Sequence, residues 1–259
     1  MTSSERTICF KLTDFRIAAA QVPSVCGDID ANIATHAGAM AIAANQQVSV
    51  LVFPELSLVG YQPGLAAELA LTPTDGRLAA LAAAARQYQM DIVVGAPLRN
   101  AGTKPSLGAI LFGADGSTRS YAKMHLGGSE PTYFAPGSAP LSFATRGQTV
   151  GIAICADASS PSHPKAYADD GATVYAVGVF LNAEWYVTDS PRLPGYAARH
   201  GMLVVMANHA ASVGTDASVG KSALWAPGGA LLAQAAGTEG CLVIATRTRE
   251  AWAGEVIRL

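Results

Sequence analysis

The chain has 259 residues, half of them hydrophobic and only 14% charged, with a formal net charge of −2. That length suits one large α/β domain or two small ones, and the near-neutral balance argues against a surface built to hold nucleic acid or an anionic membrane. No apolar run approaches the roughly 20 residues that span a bilayer, and the opening MTSSERTICFKLTDF lacks the basic-then-apolar order of a secretory signal.

Residues 1–15 read as an extension ahead of a single domain over 16–259. RIAAAQV (16–22) reads as a strand, and the Ala-rich 30–46 as a helix with Asp28 or Asp30 as its cap. VSVLVFPEL (48–56) is an apolar run that Pro54 stops, with Glu55 just beyond. A second helix over 75–88 leads into a third strand over 90–98. Residues 106–123 read as a hairpin turning at Asp115-Gly116, and 141–154 repeats that pattern around Arg146-Gly147. Helical and apolar segments continue to MLVVMANH (202–209), and strands over 221–235 and 240–247 close the domain, the first turning at Gly228-Gly229. Helices separate the early strands and hairpins dominate later, so mixed sheets covered by helices fit better than a purely parallel sheet.

The four cysteines, Cys9, Cys26, Cys155 and Cys241, form neither a metal-binding CxxC nor a dense disulfide framework, and the five histidines form no HExxH. A leaderless chain with sparse cysteine reads as cytoplasmic.

Three apolar runs end in a reactive side chain: LVFPEL in Glu55, RSYAKMHL in Lys123 and GIAICAD in Cys155. Each alone has a plainer reading, as a helix-start acid, an exposed strand end and core filler respectively. Together they suit nucleophilic catalysis. A carboxylate can take the thiol's proton as attack begins, and an ammonium and a backbone N–H, such as that of Ala156, can hold the oxyanion. Spacing alone does not bring the three together.

From about Arg16 to about Arg247 the chain resembles the nitrilase superfamily of carbon–nitrogen hydrolases. LVFPELSLVGY resembles the glutamate motif, YAKMHLGGSEPTYFAPG the lysine motif and GIAICADASSP the cysteine motif, in the family's order. The resemblance implies Glu55 as general base, Lys123 as catalytic lysine, Cys155 as nucleophile and Glu130, seven residues after Lys123, as a second acid beside them. It also implies Tyr61 and Trp185 as substrate-binding residues, with VVMANHAASVG and VGKSALWAPGG shaping the pocket or its scaffold.

The implied fold is a four-layer α-β-β-α sandwich, and the implied reaction is hydrolysis of a small amide, or a carbamoyl compound, by water through a cysteine thioester. No metal or organic cofactor is implied, and the expected assembly is a dimer or higher homo-oligomer. Acyl transfer through the same thioester and a non-catalytic oligomeric scaffold are the alternatives. After Asp157 the chain departs from the Arg-Phe-Pro-Glu of many relatives, reading ASSPSHPK over Ala158–Lys165. Nitrile-cleaving relatives follow the cysteine with Trp-Glu and carry a long C-terminal tail; here Ala156-Asp157 follows and the chain stops soon after its expected last strand, which points to amides.

Overall fold

The computed structural model describes residues 15–213, 216–249 and 251–259, so most of the expected N-terminal extension lies outside the described residues. Strand β1 (Phe15–Gln21) is buried along its whole length. Helix α1 (Ile29–Asn45) starts where the Asp28 carboxylate accepts the Ala31 N–H at 3.0 Å. Its buried residues, Ile29, Asn32, His36, Ala39, Met40 and Ala43, recur at helical spacing and form one stripe. Strand β2 (Val50–Val52) stops short of Pro54. Helix α2 (Ala79–Tyr88) follows a tight turn capped by Asp75 and ends at Gln89 with a left-handed φ of 51°. Strands β3 (Asp91–Leu98), β4 (Ser106–Phe112) and β5 (Thr118–Ala122) follow, then the short helix α3 (Glu130–Tyr133).

Strands β6 (Ser142–Thr145) and β7 (Gln148–Ile154) form the expected hairpin. Its turn residues Arg146 and Gly147 both have positive φ, 44° and 75°, as a two-residue I′ turn demands. A 3₁₀ turn at Cys155–Ser159 then leads into helix α4 (Ser162–Asp169) and strand β8 (Val174–Gly178). Helices α5 (Ala183–Asp189) and α6 (Arg192–His200) precede strand β9 (Leu203–Ala207). A small ribbon of β10 (Ser212–Val213) and β11 (Asp216–Ala217) comes next, followed by β12 (Ala223–Trp225), β13 (Leu231–Gln234), β14 (Cys241–Arg247) and β15 (Trp252–Arg258). The last of these is a correction: the expected final strand is β14, but the chain turns once more and adds an edge strand.

One sheet runs β15-β14-β1-β2-β3-β4-β5 and the other β13-β12-β9-β8-β7-β6. Each has three parallel strands at its centre (β1, β2, β3 and β7, β8, β9) with antiparallel flanks. The sheets pack face to face, β1 on β9 and β2 on β8. Side-chain alternation explains why. Val150, Ile152, Ile154, Val174, Ala176, Leu203 and Val205 point into the core shared with the first sheet. The intervening Ala153, Tyr175, Val177, Val204 and Met206 pack outward on Tyr167 of α4 and Leu193, Tyr196 and Ala197 of α6. Helices α1 and α2 cover the other sheet, completing the α-β-β-α sandwich.

Candidate active site

The carboxyl ends of strands from both sheets meet at one end of the sandwich. Glu55 follows β2, Lys123 directly follows β5 and Cys155 directly follows β7. The Lys123 ammonium is fully buried and donates to Glu55 Oε1 at 2.7 Å and to Glu130 Oε1 at 2.8 Å. Glu130 is fixed in turn: Tyr61 donates its hydroxyl to Oε1 at 3.1 Å, and the Gly127 N–H donates to Oε2 at 2.8 Å. The other oxygen of Glu55 accepts the Phe180 N–H, just beyond β8, at 3.2 Å.

The backbone is bent to make this meeting possible. Cys155 has a φ of 41° and Leu56, beside Glu55, a φ of 52°, both left-handed for side chains that disfavour it. Such residues cost about 1–3 kcal/mol each and persist where their surroundings hold them. Two glycines let the Glu55 loop close down. A Cβ on Gly95 of β3 would sit 2.4 Å from the Leu56 nitrogen and the Pro54 oxygen, and one on Gly178 of β8 would sit 2.8 Å from the Phe53 oxygen. Behind the loop, His209 Nε2–H donates to the Glu55 carbonyl at 2.7 Å. Burial lowers the pKa of both His209 and the nearby His36 to about 4, so the scaffold behind the acid is uncharged at neutral pH.

The electrostatics follow from enclosure. Burial pushes the Glu55 carboxyl up to about 7, against the opposing pull of the Lys123 ammonium. Burial alone would lower Lys123, but Glu55, Cys155 and Glu130 outweigh it and hold the ammonium charged. Burial, reinforced by the Glu55 carboxylate, raises the Cys155 thiol well above its usual range. At neutral pH the thiol therefore keeps its proton and would need a base in order to act as a nucleophile; its Sγ lies 4.0 Å from the Phe180 carbonyl oxygen, and Glu55 is the carboxylate whose charge it feels most.

A cavity of about 760 Å³ opens over Cys155 and Ala156. Tyr61, Leu126 and Trp185 supply apolar wall. Tyr61 stacks on Phe180 at 4.8 Å between ring centres, and Phe180 meets Trp185 edge-on at 6.2 Å. The structure thus brings Glu55, Lys123, Cys155 and Glu130 together and places Ala156, Tyr61 and Trp185 on the same cavity. Sequence reasoning missed the Phe180 amide, His209 and the two glycines. MLVVMANH carries the signal that flags Glu55, a polar residue ending an apolar strand, so His209 was within reach; a backbone amide leaves none.

Among the described residues, His125, Asp157 and His163 form a group whose ligand atoms lie within 4.8 Å of one another. Both oxygens of Asp157 and both ring nitrogens of His163 already have hydrogen-bond partners, so the donor set is a hydrogen-bonded network and does not fit a metal centre.

Fold and site together define a class: a four-layer α-β-β-α sandwich with a buried carboxylate–ammonium–thiol cluster at its strand ends. The family described as carbon-nitrogen hydrolase matches residues 16–254, and the chain belongs to it. A curated relative, an (R)-stereoselective amidase from Pseudomonas sp, is 31% identical over 163 residues, which is 62% of this chain. The chain spans 59% of that relative's length. Among solved structures, a mutant of the amidase from Nesterenkonia sp. AN1, with the acetamide moiety of fluoroacetamide added covalently at its active site cysteine, aligns with a TM-score of 0.83 and 25% identity over 91% of each chain. A cysteine-to-alanine mutant of that amidase in complex with butyramide aligns at 0.82 and 26% over 90% of each.

Proposed function

We propose that the protein hydrolyses the C–N bond of a small linear amide through a thioester on Cys155. The observation that carries this reading is the buried Lys123 ammonium clasped between Glu55 and Glu130 beside the cavity that presents Cys155. Glu55 takes the thiol proton as Sγ attacks the amide carbon, and the C=O electron pair moves onto oxygen. Lys123 and the Ala156 N–H stabilise that oxyanion. Its collapse breaks the C–N bond, and the proton on Glu55 goes to the departing ammonia or amine. Glu55 then takes a proton from water as the water attacks the thioester. The C–S bond breaks, the carboxylic acid leaves, and Glu55 returns its proton to the thiol. Glu130 keeps Lys123 charged and aimed throughout.

Tyr61 and Trp185 bind the acyl part of the substrate. The small Ala156 leaves room beside the thiol for a tetrahedral intermediate, which an amide forms from the outset and a nitrile does not. The protein acts in the cytoplasm as a homo-oligomer; among the described residues no helix is long and apolar enough to cross a membrane.

Ammonia release from matched amide and nitrile pairs tests the reading. Amides should turn over and Cys155→Ala should abolish it. Faster turnover of the nitriles, or an active Cys155→Ala, would overturn it.

A further inference from the structure

Asp157 takes no part in the thioester chemistry, yet it is fully buried and accepts five hydrogen bonds. Its Oδ1 accepts the Met124 N–H at 3.1 Å, the His125 N–H at 2.8 Å and the His125 Nδ1–H at 3.2 Å. Its Oδ2 accepts the Ile154 N–H at 3.0 Å and the Tyr121 hydroxyl at 2.7 Å. Met124 and His125 are the two residues after Lys123, and Ile154 is the residue before Cys155. One carboxylate therefore ties the exit of β5 in the first sheet to the end of β7 in the second.

A relay behind Asp157 fixes the direction of its hydrogen bonds. Tyr121 donates its proton to Asp157, so its oxygen is free to accept from His163 Nε2–H at 3.0 Å. His163 Nδ1 is then the acceptor for the Tyr175 hydroxyl at 2.9 Å. Tyr121, His163 and Tyr175 are all buried, and burial lowers the His163 pKa, in keeping with a neutral ring that donates at one nitrogen and accepts at the other. In ASSPSHPK, the segment that departs from the relatives' pattern, His163 is the residue that reaches this relay.

We propose that Asp157 is a positioning residue for the reaction, and that the Tyr175–His163–Tyr121 relay orients it so that Lys123 and Cys155 keep one register across the two sheets. The inference rests on the Cys155 thioester reading. A shift of the thiol against the ammonium would leave substrate binding in the cavity largely intact and slow the chemical step, which is sensitive to displacements of about 1 Å.

The test is steady-state kinetics of the full-length protein on an amide that the wild type turns over, with thermal melts alongside. Asp157→Asn risks the fold, since an asparagine nitrogen cannot accept from Ile154 or Tyr121. Tyr121→Phe keeps the ring that fills the core and removes only the hydroxyl, so it decides the matter. Tyr121→Phe and His163→Leu should each lower kcat about tenfold with KM within about twofold of wild type. His163→Gln, whose side-chain amide can still donate to Tyr121, should recover most of the loss. A folded Tyr121→Phe with wild-type kcat, or equal losses in His163→Gln and His163→Leu, would overturn the positioning role alone. A wild type with no amide turnover would overturn the thioester reading and this inference with it.

Discussion

A thiol that holds its proton and a carboxyl lifted to about 7 set the working conditions of the site residue by residue. Below about pH 7 Glu55 is itself protonated and cannot accept the thiol proton. With Glu55 as the base, kcat/KM should fall about tenfold per pH unit below about 7 and level off above it. A profile flat down to about pH 5 would contradict the assignment of Glu55 as base. Cys155→Ala, Glu55→Gln and Lys123→Ala should each cost at least about 100-fold in turnover, with Cys155→Ala still folded because the volume change is small. Glu130→Gln removes the second charge beside Lys123 and should also cost at least about tenfold; activity within about threefold of wild type would reduce Glu130 to a loop acid. Glu55, Lys123 and Cys155 stand out in the sequence because each ends an apolar run. Their meeting does not, because Lys123 and Glu55 are 68 residues apart and Cys155 follows a strand of the other sheet. Asp157 is visible only as part of a motif; its partner Tyr121 is 36 residues away and reads as an ordinary strand aromatic.

Elements matter to this site by how closely they approach. The Glu55 loop rests on β3, where Gly95 donates its N–H to Ser57 Oγ at 3.2 Å and accepts the Leu58 N–H at 2.9 Å. Gly95→Ala would press a methyl group into the Pro54–Leu56 backbone, which has no free side chain to move aside. We expect a destabilisation of about 1–3 kcal/mol and a loss of turnover of at least about tenfold, read by urea unfolding and ammonia release. Unchanged values of both would show that the loop position is not critical. Strands with strong turn signals were legible, as at Asp115-Gly116 and Arg146-Gly147, because those turns need residues that accept positive φ. The strand β15 was not. It is an edge strand with most side chains exposed, so AWAGEVIRL carries no buried alternation to mark it. The run over 48–56 was legible as a strand, but sheet pairing ends at Val52, where the chain leaves to place Glu55.

At the scale of the whole molecule, mixed sheets were legible from the shift between helix-linked strands and hairpins. Their face-to-face stacking came only through the family resemblance, since nothing local records which faces of β7, β8 and β9 meet the other sheet. The proposed homo-oligomer is tested at this scale: light scattering at micromolar concentration should give at least a dimer, and a monomer of 26.5 kDa would contradict that.

In the proposed reaction Cys155 carries the acyl group from the first half to the second. Peptide mapping by mass spectrometry, on wild-type protein quenched in acid during turnover of a small amide that it hydrolyses, checks this role. The acyl group of that amide should be found on the peptide that contains Cys155 and be lost on treatment with hydroxylamine. An acyl group found on a different residue, in protein that is turning over, would contradict it.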